Sequence, residues 1–437
     1  MIVWLVTFIF FVLWGLGKRV PAMILLFSIA CGFFYLQGFP DPVLSSEYHN
    51  SLYLIGNTFL AIEIYKNKFN RIKKDKIARF ILLFYIFFIL HSFFTIVLSI
   101  DSARYATALL RTHYSPFLLY FVLMNLGKHD SIKTLHILFI ICVIHSFLYI
   151  LQFMGIDLFQ GEFEVRDVVR RGMPYYGCLF FFYAFSIRGN KKWLLACLIL
   201  VPFLGGSARG VIVSIFFACV LYYRGVVFKS LKNFVLAGIL GIGLIVVYNL
   251  VLSDNFTRRG RSGFVGDVTG AFNWENVVDY SNSGSIEENG TFVFRIALLA
   301  ERIIYLINNP GYIPFGCGSI EEVSPNNHMY FLIGTYNEST RYGRTMIETN
   351  DILWPPYIIR YGICGILFWV MFFTVLYRRY NKSPYESLKR LGILWVLFCV
   401  FQSFGTDWVR RAYLVLPMLI LAIAVQKNLK RNDSFAF

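Results

Sequence analysis

The stretch FILLFYIFFILHSFFTIVLSI, residues 80–100, decides the class of fold. It contains no Asp, Glu, Lys or Arg, and it is as long as the roughly 20 apolar residues that a helix needs to cross a bilayer. Backbone polar groups cannot stay unpaired in lipid, so such a run forms a helix. Comparable runs recur, and they predict an all-α polytopic membrane protein with about thirteen transmembrane helices, within limits of about twelve and about fourteen. The predicted spans are 2–16, 20–37, 51–65, 80–100, 105–126, 133–154, 174–187, 193–206, 210–223, 234–253, 352–376, 391–405 and 411–426.

The composition excludes the ordinary soluble enzyme folds. Of the 437 residues, 57% are hydrophobic and only 15% are charged, and the mean hydropathy is +0.60, unlike a soluble chain. The net charge of +16 is interpreted through membrane topology, and no nucleic-acid partner is expected. The eight cysteines have neither metal-binding spacing nor a disulfide pattern. The apolar N-terminus lacks a basic region and a cleavage site, which indicates a retained span.

Charged connections between the spans predict the orientation. The basic connections are 66–79, 188–192, 224–232, 378–390 and 427–431. With about thirteen spans they all fall on one side, which the positive-inside rule makes cytoplasmic. The N-terminus is then external.

Lysine and arginine are distributed differently across this topology. All lysines, from Lys18 to Lys430, lie on the predicted cytoplasmic side, whereas the longest connection, 254–350, contains arginines and no lysine. Arginine presents a planar fork of donors that suits phosphate and carboxylate better than lysine does. The alternative is that these arginines pair with acidic residues of the outer loops. The arginines predicted to be external are Arg104, Arg111, Arg166, Arg170, Arg171, Arg209, Arg258, Arg259, Arg261, Arg295, Arg302, Arg341, Arg344, Arg360, Arg410 and Arg411.

The chain is predicted to have three parts. Residues 1–253 form an N-terminal membrane bundle of about ten spans. Residues 254–350 form a large external loop, of which the first part is rich in Gly, Asn and Ser and is predicted to be irregular. Residues 351–437 form the C-terminal spans and a cytoplasmic tail. No soluble catalytic domain is recognisable, so any chemistry is expected at the outer face of the membrane.

One amphipathic helix is predicted inside the loop. The sequence TFVFRIALLAERIIYLINN, residues 291–309, places its apolar residues on one face, which is typical of a helix that lies on the membrane or caps a cavity. Arg295 and Arg302 share a face, where both could meet an anion. The alternative is an exposed helix charge. Pro310 and Gly311 are expected to end the helix.

Three external side chains are candidate bases. His328 titrates near neutral pH. Glu348 and Asp351 lie at the outer mouth of the eleventh span, and a carboxylate there can accept a proton if its pKa is raised. The alternative for this pair is a helix N-cap. Pro355 and Pro356 follow early in the span and predict a break or kink, and such breaks usually line cavities.

A further candidate site lies between two apolar runs. Ser207 and Arg209, in the sequence SARG, are expected to face a cavity or the interface, because a charge is costly in lipid. The alternative is a simple turn with a snorkelling arginine. The charges around 162–171 and around 407–411 are interpreted more simply, as solvated clusters. Three histidines within spans are interpreted as packed or hydrogen-bonded, namely His91, His136 and His145.

Three motifs in this order resemble a known family. GGSARGVIVSIFF (205–217), RIALLAERIIYLINNPGYIPFGCG (295–318) and TNDILWPPYIIRYGICGILFW (349–369) resemble the Ser-Arg-Gly element, the loop helix and the Gly-x-x-Gly span of the bacterial O-antigen polymerase/O-antigen ligase superfamily. The first motif departs from the family by an inserted Ala208. The His-Asn pair that usually precedes Gly-x-x-Gly is replaced by the sequence around Asp351, which favours a polymerase over a ligase.

The resemblance implies glycosyl transfer at the external face of the bacterial inner membrane. A sugar hydroxyl attacks the anomeric carbon of an undecaprenyl-diphosphate-linked oligosaccharide, and the lipid diphosphate leaves. Fixed arginines would stabilise the leaving group. No external pair typical of metal binding is visible, so neither a cofactor nor a metal is expected. Membrane lipid and a chain-length regulator protein are the expected partners. The predicted diphosphate-binding residues are Ser207, Arg209, Arg295 and Arg302, and the predicted base is Asp351, Glu348 or His328.

Three other functions stay open at this point. A ligase would use the same donor and a lipid A-core acceptor. A flippase or transporter would also hold diphosphates with arginine, but it predicts inverted repeats and charges at mid-membrane depth. Another lipid-dependent glycosyltransferase would use acidic residues of the first outer loop, where Asp41 and Glu47 are available.

Overall fold

The structure, a computed structural model, describes most of the membrane bundle and the second half of the external loop. The described residues are 2–31, 46–153, 163–165, 168–170, 176–185, 191–205, 209–230, 232–233, 235, 238–239, 291–334, 339–348 and 352–427. Within them the chain is almost entirely helical. The predicted span 234–253 and the first part of the loop lie largely outside the described residues.

The helices follow the predicted spans closely. Two 3-10 turns, Pro310–Tyr312 and Asp407–Arg410, lie in the connections. The helices are α1 Ile2–Gly15, α2 Arg19–Cys31, α3 Ser46–Asn67, α4 Asn70–Lys74, α5 Lys76–Val97, α6 Ala103–Leu123, α7 Lys128–Phe153, α8 Gly177–Ala184, α9 Lys191–Gly205, α10 Arg209–Tyr222, α11 Arg224–Val227, α12 Thr291–Asn308, α13 Trp354–Asn381, α14 Glu386–Gln402 and α15 Ala412–Lys427.

The secondary structure of the described residues is all-helical, as predicted, apart from one small hairpin. Strand β1, Phe163–Val165, pairs antiparallel with β2, Val168–Arg170, and Val165 lies opposite Val168. The hairpin falls in the segment that the sequence analysis treats as a solvated charge cluster. Apolar and charged residues alternate in β1, where Glu164 lies between Phe163 and Val165, and β2 begins with two valines, a residue type common in strands.

Three described segments are long and apolar enough to cross a membrane. They are Lys76–Val97, His129–Leu148 and Trp354–Asn381. Shorter apolar helices accompany them, among them Ile2–Gly15 and Ala412–Gln426. These helices identify a membrane protein, and the total of about thirteen spans stays a prediction.

Helices α6 and α15 form the centre of the bundle. Residues 117–123 of α6 are fully buried, and α6 packs against α3, α5 and α15. Aromatic rings dominate the contact between α6 and α13: the ring of Phe117 lies 5.0 Å from Phe368, 5.6 Å from Trp369 and 5.0 Å from Phe372 between centroids. Such edge-to-face pairs add to the packing of a buried core.

The helix break near the start of α13 lies at a different residue from the one predicted. Pro355 and Pro356 occupy the first turn of α13, where the amide that proline lacks has no helical partner in any case. They therefore begin the helix and do not break it. The break lies at Gly362, which has φ 58° and ψ −141°, a conformation that glycine adopts readily.

An ion pair joins two of the basic connections at one end of the bundle. Asp75 caps α5, because its Oδ1 accepts from the Ile77 N–H at 2.8 Å. The same carboxylate accepts from Arg379 at 2.8 Å and from the Tyr120 hydroxyl at 2.8 Å. Arg71, from the 66–79 connection, pairs with Glu63 at 2.8 Å. The contacts agree with the prediction that connections 66–79 and 378–390 share one side.

The contact between α3 and α6 depends on a glycine. A Cβ placed on Gly56 would lie 2.5 Å from the Leu118 Cβ, a distance that real side chains do not reach. We therefore expect Gly56→Val to force the helices apart, which overpacking data place at about 1–3 kcal/mol of lost stability. Thermal unfolding of the detergent-solubilised protein measures this loss. Gly15→Val is the matched control, because a Cβ on Gly15 meets nothing within 4 Å; equal loss in both variants would contradict the contact.

Candidate functional site

The break in α13 exposes backbone groups that the external loop then satisfies. In a regular helix the Ile363 amide would donate to the Ile359 carbonyl one turn earlier. Here the Ile363 N–H donates to the Ile313 carbonyl at 2.8 Å, and the Ile359 carbonyl accepts from the Cys317 N–H at 2.8 Å. The loop thus replaces one helical hydrogen bond with two bonds of its own.

The next helical bond is exchanged in the same way. The Arg360 carbonyl accepts from the Gly318 N–H at 3.3 Å, and the Cys364 N–H donates to the Pro314 carbonyl at 3.3 Å. Loop and helix approach so closely that a Cβ on Gly316 would lie 2.3 Å from the Arg360 carbonyl oxygen. A glycine at position 316 is therefore required for the loop to reach the broken helix.

Helix α5 holds the same loop from the other side. His91 Nε2 lies 2.8 Å from the Phe315 carbonyl, and His91 Nδ1 lies 2.8 Å from the Ser319 hydroxyl. Because a carbonyl only accepts, the proton is assigned to Nε2 and the Nδ1 atom accepts from Ser319. Just beyond α5, Asp101 accepts from the Ser324 hydroxyl at 2.6 Å. The interpretation of His91 as a hydrogen-bonded residue is confirmed, as it is for His145, which lies 2.9 Å from the Tyr176 hydroxyl.

The amphipathic helix is confirmed as α12, which ends at Asn308 before Pro310. Its Arg302 is 1% exposed and donates to the carbonyls of Ile333 and Met346 at 2.5 and 2.7 Å. The guanidinium also stacks 4.2 Å above the Phe331 ring. Burial lowers the pKa of Arg302 to about 10, against the opposing effect of Glu301.

The shared helix face predicts that Arg302 and Arg295 meet one anion together. Instead, Arg302 binds the loop backbone and pairs with the neighbouring Glu301 at 2.5 Å. Arg295 is half-buried on the same helix. The helix period gives the face of a residue but not the length and direction of its side chain, and Arg302 reaches back to the loop that covers it.

Glu322 positions the segment that carries Glu348. The buried Glu322 carboxylate accepts from the Met346, Ile347 and Glu348 amides, the last two at 2.8 and 2.7 Å. Charge-assisted bonds of this kind are about twice as strong as neutral ones. Residues 346–348 are consequently fixed although they belong to no helix or strand.

A cluster of buried charges lies where this segment meets the bundle. Glu348 accepts from Arg360 Nη1 at 2.7 Å and from Arg410 Nη2 at 2.8 Å. Arg410 also donates through Nε and Nη2 to Asp407 at 3.0 and 2.7 Å. The side chains of Arg360 and Arg410 are 0% and 2% exposed, whereas that of Glu348 is 28% exposed. We call Arg360, Arg410, Glu348, Asp407 and His113 the arginine–carboxylate cluster.

His113 completes the cluster from α6. Arg410 Nη1 lies within hydrogen-bond distance of His113 Nε2. A guanidinium only donates, so Nε2 accepts and the ring proton is assigned to Nδ1, which lies 3.4 Å from the Tyr361 hydroxyl. The imidazole ring stacks on Tyr357 with centroids 5.3 Å apart. This histidine is held as a neutral acceptor for Arg410.

The electrostatics of Glu348 differ from those that the predicted base requires. Burial raises its pKa, but the charges of Arg410 and Arg360 outweigh burial and hold the pKa well below its usual range. The carboxylate is therefore ionised at neutral pH. A general base works best with a pKa near the operating pH, so the shift found for Glu348 is opposite to the one expected for that role.

The other predicted site residues lie at several places. His328 is exposed, and its Nδ1 accepts from Arg341. Arg209 begins α10, and its side chain lies outside the described part of the chain, as do Ser207 and Asp351. The start of α10 lies near the end of α14, because a Cβ on Gly210 would be 3.8 Å from the Gln402 amide nitrogen.

Sequence reasoning does not find the arginine–carboxylate cluster. Asp407 and Arg410 are interpreted above as solvated charges, and this is wrong: both are buried. His113 and Arg360 are not proposed as site residues. A usable signal exists for Arg360, because a lone arginine within an apolar helix is costly unless it faces protein or a cavity. No such signal brings residues so distant in sequence together.

The comparisons with known proteins do not place the chain. No family model matches it, and no curated protein sequence matches it. Among the residues that the structure describes, no group of three or more His, Cys, Asp or Glu side chains is arranged to hold a metal ion.

The role of Glu322 is testable. Glu322→Gln keeps the size of the side chain but turns one acceptor oxygen into a donor that faces backbone N–H groups. We expect a loss of about 1–3 kcal/mol and faster trypsin cleavage after Arg341 and Arg344, because segment 346–348 loses its anchor. Melting temperature and the rate of cleavage measure these effects. Glu386→Gln is the control, since that side chain is 73% exposed; unchanged cleavage of the Glu322 variant would refute the anchoring role.

Proposed function

We propose that the protein polymerises undecaprenyl-diphosphate-linked oligosaccharide repeat units at the external face of the bacterial inner membrane. The observation that carries this proposal is the loop 254–350, which contains arginines and no lysine. This loop packs against the break in α13, close to the buried Arg360 and Arg410. The ordered motifs that resemble the O-antigen polymerase/O-antigen ligase superfamily point to the same activity.

The proposed glycosyl transfer needs positively charged groups that are held in position before the reaction begins. As the glycosidic bond to the lipid breaks, the diphosphate leaves with the bonding electron pair and gains negative charge. Oriented guanidinium groups in a site sheltered from water stabilise such charge without reorganisation. Arginines held by backbone and carboxylate partners, as Arg360 and Arg410 are, supply this kind of environment. No metal is needed in the proposed reaction.

The proposed roles rest on the resemblance, combined with the contacts of the described residues. Arg209 and Arg295 bind the donor diphosphate, and Ser207 assists them; Arg302 is assigned to the loop structure instead. Asp351 accepts the proton of the attacking hydroxyl, since Glu348 is held ionised by two arginines and the Nδ1 lone pair of His328 is taken by Arg341. The acceptor oxygen then bonds to the anomeric carbon.

The orientation supports an external active site. The end of the bundle that carries Asp75, Arg379 and the basic connections is proposed to be cytoplasmic, in agreement with the positive-inside rule. The loop and the arginine–carboxylate cluster then lie at the external end. A chain-length regulator protein is proposed as a partner of this face.

Deletion of the gene tests the proposal in the cell. We expect surface glycan with single repeats and no ladder on gels, and we expect Arg295→Ala and Arg209→Ala to reproduce it, because losing one transition-state contact lowers turnover about 100-fold or more. Arg104→Ala is the matched control, since Arg104 is also predicted to be external and is exposed.

Other patterns on the same gels would contradict the polymerase. Long polymer that accumulates on the lipid carrier would identify a ligase. Single repeats trapped on the cytoplasmic side would identify a flippase. An unchanged glycan would refute the resemblance on which the proposal draws.

A further inference from the structure

Glu348 differs from the other members of the arginine–carboxylate cluster in how it is held. Arg360 and Arg410 belong to a helix and to a 3-10 turn and are buried. Glu348 lies on an irregular segment, and its side chain is 28% exposed. Of the two carboxylates that neutralise the arginines, Asp407 is therefore buried and Glu348 is the one that reaches the surface.

The cluster also has unused hydrogen-bonding capacity. Arg360 Nη2, Asp407 Oδ1 and the Tyr357 hydroxyl are buried, and none of these atoms has a hydrogen-bond partner within the described part of the chain. A buried polar atom without a partner destabilises the folded state, because its bond to water is lost and not replaced. Two of the three, Arg360 Nη2 and the Tyr357 hydroxyl, are donors that a ligand with more oxygens than one carboxylate would satisfy.

The charges show what kind of ligand would suit the site. Arg360 and Arg410 carry two positive charges, and Glu348 and Asp407 carry two negative ones. Arg410 donates to Asp407 through two nitrogens, so Arg410 keeps its orientation when Glu348 moves away. The cluster would then have an excess positive charge and two converging guanidinium groups, which match the oxygens of a phosphate.

We propose that Arg360 and Arg410 form a phosphate-binding site, and that the Glu348 carboxylate occupies this site in the absence of ligand. A phosphate offers more oxygens than a carboxylate, so it can replace both Glu348 contacts and also accept from Arg360 Nη2. Free phosphate, a lipid headgroup and a lipid diphosphate share this chemistry. The assignment to a lipid diphosphate rests on the proposed function, whereas the phosphate site itself does not.

Chemical rescue of a Glu348 variant tests the site directly. Glu348→Ala leaves two buried arginines with one carboxylate, and we expect a lower melting temperature in chloride. Inorganic pyrophosphate, in EDTA and at matched ionic strength, should restore it, with a half-maximal concentration at least about 10-fold below that of the unmodified protein. Full-length protein in a maltoside detergent is used. Glu348→Gln serves the same purpose if the alanine variant does not fold.

Two further variants make the result specific. Arg360→Gln added to Glu348→Ala should abolish the response to pyrophosphate. Glu386→Ala, which removes an exposed carboxylate, should respond like the unmodified protein. A response of Glu348→Ala to acetate as large as the one to pyrophosphate would overturn the proposal, because the arginines would then form a simple structural ion pair. Absence of any response to pyrophosphate would overturn it as well.

Measurements with different ligands distinguish free phosphate, a lipid headgroup and a lipid diphosphate. A stronger response to pyrophosphate than to inorganic phosphate supports a diphosphate ligand. A response to phosphatidylglycerol micelles alone would overturn that assignment in favour of a headgroup. None of these measurements uses glycan synthesis as a readout, so a protein that fails to make polymer but binds pyrophosphate refutes the polymerase alone, and the reverse result refutes the phosphate site alone.

Discussion

The requirement that every backbone amide in an apolar environment finds a partner determines how the loop and helix α13 are arranged around the arginine–carboxylate cluster. Helix α13 gives up two of its own hydrogen bonds around Gly362, and the loop residues from Ile313 to Gly318 supply the replacements. A backbone N–H and a carbonyl left without partners would cost several kcal/mol in an apolar environment. The loop and the broken helix are therefore stable only together, and the break fixes where the loop lies.

The positions of the charged groups follow from that junction. The loop that satisfies α13 continues into Glu322, whose carboxylate fixes residues 346–348, and so it carries Glu348 to the arginines. The Arg360 carbonyl bonds the loop while its guanidinium bonds Glu348, so one residue belongs to both the scaffold and the site. Arg410 lies on the turn between α14 and α15, and His113 lies on α6. Four segments distant in sequence thus meet in one cluster, and the break in α13 explains how two of them, the loop and α13, come together.

Local features of this molecule could be predicted from the sequence, and features that depend on tertiary contacts could not. The helices, the amphipathic α12 and its end before Pro310 follow from apolar period and from proline chemistry, which act within a few residues. The break was expected at Pro355 and Pro356 because proline is the usual breaker, but in the first turn it removes no bond; the requirement for a break at Gly362 comes from the loop. Likewise Arg302 and Arg410 look like surface charges in sequence, and only the packed structure buries them.

A buried cluster of four charges adds little to the stability of the fold compared with apolar packing. Removing one partner leaves an uncompensated charge and costs about 3–5 kcal/mol, yet replacing a whole buried ion pair with apolar side chains is often neutral or stabilising. Packing therefore does not explain why Arg360 and Arg410 are charged here, since an apolar centre like that around Phe368 would fill the space. What an apolar centre cannot do is exchange one anion for another. The partly exposed Glu348 allows such an exchange, and this is the physical reason to assign the cluster to ligand binding.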